Sequence, residues 1–165
     1  MQSKQPVPVP LNYRMSKLDK GTLVVTGGAG LIGSAIVWGL NNRNFSDIWL
    51  VDWAEAESLK AKNLSPLTYS RQICPDDFRE MIRNKSDELS DISTIFHLGA
   101  CSSTTETNEE YLNDNNLGYT RELCEWSLDR GVRFVYASSA STYGDGSLGM
   151  DDQDEDLEKF TPLNL

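Results

Sequence analysis

The stretch TGGAGLIG, residues 26 to 33, puts glycines at 27, 28, 30 and 33 between an apolar run and a segment of helical periodicity. A turn without Cβ atoms lets backbone N–H groups reach an anion, and a helix starting there adds the positive end of its dipole. The glycines fit G-x-G-x-x-G as Gly28, Gly30 and Gly33, and a wider G-x-x-G-x-x-G as Gly27, Gly30 and Gly33. Asp52 ends the next apolar run, 19 residues after Gly33. A carboxylate at that distance accepts hydrogen bonds from a ribose, so turn and acid together predict a dinucleotide site. A glycine-rich turn with no ligand is the competing reading, and the strand, helix and acid around the turn weigh against it. The carboxylate repels a 2'-phosphate and favours NAD, whereas Lys60 or Lys62 would offset that repulsion.

A second candidate is YASSASTYG, residues 136 to 144, with serines at 138, 139 and 141. Two chemistries compete for it. In a hydrolase, Ser138 or Ser139 would attack with His97, the single histidine, as base. The flanking Ala137 and Ala140 do not make the G-x-S-x-G elbow that exposes such a nucleophile, and a loop follows where the elbow needs a helix. In a nicotinamide enzyme the serine only hydrogen-bonds the substrate oxygen, while a tyrosine with a lysine one helical turn away moves the proton. The one such pair, Tyr13 and Lys17, lies in a proline-rich arm before the first strand and is read as coincidence.

The elements that must position these residues alternate. Strands are predicted at 22–26, 47–52, 67–71, 93–99 and 133–139, and helices at 31–42, 54–63, 75–84 and 109–130, the last stopped by Gly131. Alternating strands and helices imply right-handed crossovers and a parallel sheet covered on both faces, a doubly wound α/β fold of the Rossmann type. Residues 1–20, with prolines at 6, 8 and 10, read as a flexible arm, leaving 21–165 as the dinucleotide-binding domain.

Composition narrows the partners. The 165 residues carry 15 Lys and Arg against 25 Asp and Glu, a net charge of -10 with no basic cluster, which argues against nucleic acid. No run of 18 apolar residues suggests a membrane span. Cys74, Cys101 and Cys124 are odd in number and fit neither a disulfide framework nor a metal motif, which suits a reducing cytoplasm. The acidic run DDQDED lacks the glycine and the terminal glutamate of a calcium loop, so no metal site is predicted.

TGGAGLIG, VD, FHLGACSSTTE, DNN and YASSASTYG, in this order and spacing, resemble the extended short-chain dehydrogenase/reductases over about residues 22 to 165. GACSSTTE with DNN resembles, more narrowly, the epimerases of that family that act on ADP-linked sugars. The resemblance implies NADP, or NAD, held at Gly27, Gly30, Leu31, Ile32 and Gly33 around the pyrophosphate and at Asp52, Trp53 and Lys60 around the adenosine ribose. It adds Leu98, Gly99, Ala100, Cys101 and Ser102 in the turn after the fourth strand, and Asn115. It makes Ser139 the catalytic serine and implies an ADP-sugar substrate and a homo-oligomeric whole protein. It also places a Tyr-x-x-x-Lys helix beyond Leu165, so these residues alone are expected to be inactive.

Overall fold

In the computed structural model, residues 20–53, 59–151 and 158–163 are described. Five parallel strands form one sheet: β1 (Thr22–Thr26), β2 (Ile48–Val51), β3 (Arg71–Ile73), β4 (Ile92–His97) and β5 (Arg133–Tyr136). Helices α1 (Leu31–Asn41), α2 (Leu59–Leu64), α3 (Pro75–Arg83), α4 (Glu109–Leu112) and α5 (Tyr119–Arg130) connect and cover them.

Because successive strand residues face opposite sides, β1 feeds two cores. Leu23 and Val25 pack with Val37, Leu40, Ile48, Leu50 and Leu64 on the α1 and α2 face. Val24 packs with Val51, Phe78, Ile82, Ile95, Tyr119, Leu123 and Trp126 on the α3 and α5 face. Both faces are therefore covered, as the alternation of elements predicts.

The strand order is β3-β2-β1-β4-β5. The chain winds from β1 through β2 to β3 on one side, then returns to lay β4 on the other side of β1. Between the carboxyl ends of β1 and β4 the connections diverge, and such a switch point opens a crevice where ligands bind in sheets of this kind.

Three local departures from the sequence reading have physical causes. The third strand begins at Arg71 rather than Leu67, because Leu67 N donates to Leu64 O and still belongs to the end of α2. The last strand stops at Tyr136, since Ser139 already accepts from Ser141 N in a short turn at Ala140–Tyr143. The long helix is not continuous: Asn113–Gly118 forms a wide turn of π geometry between α4 and α5. Of the predicted second helix, residues 54–58 lie outside the described residues, as do Tyr13, Lys17 and most of the N-terminal arm.

Candidate functional site: the carboxyl edge of the sheet

The glycine turn is built by close approach. Gly27 has φ 66°, and a Cβ there would come 2.8 Å from Gly99 N and the Leu98 carbonyl. The turn after β1 therefore lies directly against the turn after β4. Gly28 is hemmed in by Leu50 and the Val25 carbonyl, so each of the two adjacent glycines excludes a side chain for its own reason. At Gly33 a Cβ would fall on the Gly27 carbonyl oxygen and 2.7 Å from Gly28 Cα, which is what lets α1 pack this near β1. Gly30 caps α1 with no side-chain hydrogen bond, and no acid occupies the first turn of the helix. The result is bare backbone at the positive end of a helix, the arrangement a pyrophosphate requires. Leu31 and Ile32 stand exposed at 84% and 62% beside it.

Asp52 is buried, 6% exposed, at the end of β2. Its Oδ2 accepts from Ala29 N at 2.9 Å, and its Oδ1 pairs with Lys60 Nζ at 2.7 Å. The Ala29 carbonyl in turn accepts from Asn63 Nδ2 at 2.9 Å. The glycine turn is thus tied at one residue to the end of β2 and to α2, and Lys60 brings a positive charge to the acid. Trp53 follows, exposed.

On the other side of the crevice, Leu98, Gly99, Ala100, Cys101 and Ser102 follow β4 as an irregular segment. Asn116, in the wide turn, holds it: Asn116 Oδ1 accepts from Cys101 N at 2.8 Å and Nδ2 donates to Cys101 O at 3.1 Å. Asn115 donates to Asn116 Oδ1 at 2.9 Å, so the residue predicted for the cofactor here supports its neighbour, and Asn116 makes the anchoring bonds.

His97 is 3% exposed, with Nδ1 2.6 Å from Thr26 Oγ1 and Nε2 2.9 Å from Thr120 Oγ1. Tyr119 meets its ring edge-on at 5.1 Å and Phe134 stacks at 5.9 Å. Both nitrogens are engaged, leaving none for a serine, which removes the geometric basis of the hydrolase reading. Burial lowers its pKa from 6.5 to about 4. The native state therefore holds a neutral imidazole, whereas the unfolded chain takes up a proton below pH 6.5. The associated stability is complete above that value and is lost as pH falls toward about 4, to a total of about 3 kcal/mol. Asp114 is held low by its hydrogen bonds to Arg79. Burial disfavours the ionised form of Glu122, but its bonds to Arg79 and Arg83 prevail and lower its pKa too. These two acids release their share at still lower pH. Urea midpoints are expected to fall steadily between pH 7 and pH 4.5; a flat profile there would contradict a neutral buried His97.

Ser139 lies on the same edge of the sheet, beyond β5, whose end is joined to β4 by Ala137 N donating to His97 O at 3.1 Å. Its Oγ is exposed and 2.8 Å from Ser141 Oγ. Residues 158–163 brace this loop, with Leu163 N donating to Ser141 O and Phe160 edge-on to Tyr143 at 5.3 Å. The structure thus brings Gly27, Leu98 and Gly99 into contact and Asp52 to Lys60, while Ser139 shares their edge of the sheet without touching them.

Sequence reasoning missed Thr26, Asn63, Asn116 and Thr120. Asn116 lay inside the quoted DNN, and only the wide turn decides which of its two asparagines faces Cys101. Thr26, the last residue of an apolar strand, offered a polar side chain at the carboxyl edge and was a readable signal.

The description "NAD dependent epimerase/dehydratase family" matches residues 23–165. Curated relatives named ADP-L-glycero-D-manno-heptose-6-epimerase are 46% identical over 142 residues in Nitratidesulfovibrio vulgaris and 43% identical over 144 residues in Fusobacterium nucleatum. Each match takes in 86% of this chain but 43% of the relative, so the chain spans less than half the length of these relatives. Among solved structures, a UDP-glucuronic acid 4-epimerase from Bacillus cereus, in complex with UDP-4-deoxy-4-fluoro-glucuronic acid and NAD, superposes with TM-score 0.60 at 25% identity. That superposition covers 87% of this chain and 46% of the other. A uronate dehydrogenase gives TM-score 0.56 at 27% identity, covering 76% and 42%. With the family model matched over residues 23–165, the chain belongs to the NAD dependent epimerase/dehydratase family.

Proposed function

We propose that the chain is the cofactor-binding part of a nucleotide-sugar epimerase whose substrate is an ADP-linked heptose, as in the relatives named ADP-L-glycero-D-manno-heptose-6-epimerase. The observation that carries the reading is the cleft itself, bare backbone at the start of α1 facing the turn after β4. In it Gly27, Gly30, Leu31, Ile32 and Gly33 take the pyrophosphate. Asp52, Trp53 and Lys60 surround the adenosine ribose, and Leu98 to Ser102 with Asn115 line the opposite wall. A bound nicotinamide would supply the hydride acceptor that removes stereochemistry at the sugar carbon and returns hydride to the other face. Ser139 donates a hydrogen bond to the reacting sugar oxygen. The acid/base of the reaction is not among these residues, whose part is cofactor binding and the hydrogen bond from Ser139. In the cell this would serve lipopolysaccharide core synthesis, in the cytoplasm, by a homo-oligomer of the whole protein.

Lys60 bears on which dinucleotide is held. At 2.7 Å it neutralises Asp52 and stands where a 2'-phosphate would need a cation, which favours NADP. NAD is the second reading, supported by the neighbour solved with NAD. Fluorescence titration of the chain is expected to show NADPH binding tighter than NADH, and Lys60→Ala is expected to weaken NADPH about tenfold while sparing NADH, as loss of one charge-assisted contact would. Tighter binding of NADH in the native chain would assign NAD instead, and equal affinities would overturn a preference set by Lys60. Failure to bind either dinucleotide would refute the cofactor-binding reading.

A further inference from the structure

The polar atoms around His97 close into a chain whose hydrogens can be counted. Thr120 Oγ1 lies 2.5 Å from the Asn116 carbonyl, which only accepts, so the threonine hydrogen is committed there. Nε2 of His97 must therefore donate to Thr120 Oγ1. A neutral imidazole carries one N–H, so Nδ1 accepts, and the donor at 2.6 Å is the Thr26 hydroxyl. Thr26 Oγ1 also accepts from Gly99 N at 3.1 Å and, in a bond that Leu98 N shares with the Thr26 carbonyl, from Leu98 N at 3.2 Å. A cationic His97 would direct a second N–H at an oxygen that already faces two backbone N–H groups.

The chain runs across the base of the cleft. It starts at the backbone of Leu98 and Gly99 and passes through Thr26 and His97, register partners on β1 and β4. It continues through Thr120 of α5 to the Asn116 carbonyl, whose residue clasps Cys101 by both its N–H and its C=O. Each end of the segment 98–101 is thus linked through intervening residues to one side of a single imidazole: through Thr26 at Leu98 and Gly99, and through Thr120 and Asn116 at Cys101. The hydroxyl of Thr120 bonds the carbonyl four residues back, as in a regular helix, and the wide turn at Asn113–Gly118 carries the Asn116 amide that meets Cys101.

We propose that His97 is a positioning residue: as the neutral Nε2–H tautomer it links Thr26 of β1 to Thr120 of α5 and so sets where backbone 98–101 stands in the cleft. The consequence for dinucleotide affinity rests on the cofactor-binding reading above; the tautomer and the clasp on Cys101 do not.

The test uses the native chain with Thr120→Val, which keeps shape and removes the hydroxyl, and Thr120→Ser, which restores it. Long-range 1H–15N correlations should show the Nε2–H form of His97 from about pH 8 to about pH 6; an Nδ1–H form or a cation at pH 6 overturns the proposal. Amide exchange at Cys101 should quicken about tenfold in Thr120→Val, as loss of about one hydrogen bond predicts, and return in Thr120→Ser. NADPH and NADH affinity should fall about fivefold to tenfold in Thr120→Val and recover in Thr120→Ser. A folded Thr120→Val that exchanges and binds like the native chain overturns the positioning role. If Thr120→Val does not fold, the tautomer in the native chain decides. If the native chain binds neither dinucleotide, the cofactor reading has failed, while tautomer and exchange still judge the proposal.

Discussion

Gly33→Ala should weaken the proposed dinucleotide binding at least about a hundredfold and destabilise the fold by roughly 3 kcal/mol, the upper part of the range for overpacking a close contact. The added methyl would fall on the Gly27 carbonyl oxygen, with Gly28 Cα 2.7 Å away, and all of these atoms are backbone with no rotamer to escape into. Relief requires α1 to move off β1. That movement breaks the bond from Gly30 N to Gly27 O, 3.0 Å, and the one from Ala29 N to Asp52 Oδ2, 2.9 Å, which shape the turn. Two charge-assisted contacts to a pyrophosphate, each worth about 1.5 kcal/mol or more, would then be lost, a fall in affinity of at least about a hundredfold. Gly39→Ala in the same helix is the control. Its nearest neighbour is the Arg43 guanidinium at 3.7 Å, an ordinary van der Waals distance, so the gain in helix propensity of about 0.5–1 kcal/mol is realised and binding is unchanged. Equal effects at 33 and 39 would mean that helix propensity, not close packing, governs the turn.

Much of this site could be read before the fold, and the reason is chemical. A turn this close to neighbouring backbone needs residues without side chains, so Gly27, Gly30 and Gly33 are visible as absences at fixed spacing. Asp52 is visible because a carboxylate ending an apolar strand is unusual without a partner. The framework behind them was less legible. His97 reads as a packed strand residue, which it is, but its two hydroxyl partners are 71 and 23 positions away, and no local pattern encodes such pairings. The wide turn was hidden for a related reason: NDNNLG holds weak helix formers, but low propensity alone does not distinguish a helix that ends from one that widens by a residue. Nor did the amphipathic pattern of PDDFREMIRN distinguish Arg79, beside Phe78, from the solvated charges of the same helix.

That arginine carries the other large expected effect. Arg79 is 8% exposed on α3 and forms paired bonds to Asp114 at 2.7 and 2.8 Å and to Glu122 at 3.1 and 3.0 Å, with its guanidinium 5.1 Å over the Tyr119 ring. It joins α3 to the wide turn and to α5 at once. Its pKa is raised further, first by the bond to Asp114, so the charge is permanent. Asp114 is well exposed and Glu122 keeps Arg83 at 2.7 Å, so the stranded acids are partly relieved on truncation. Arg79→Ala should therefore cost about 3 kcal/mol, the low end for breaking a buried pair, and lower the thermal midpoint by roughly 10 °C. Arg71→Ala removes an equally short ion pair, to Glu88 at 2.6 Å, but both partners are solvated, and a cost below about 1 kcal/mol is expected. Similar losses for the two would show that ion pairing alone sets the effect and that burial at the wide turn adds nothing. A drop at Arg79 accompanied by faster amide exchange at Cys101 would place the same residue behind the geometry of the cleft, because Asp114 lies in the turn from which Asn116 holds Cys101.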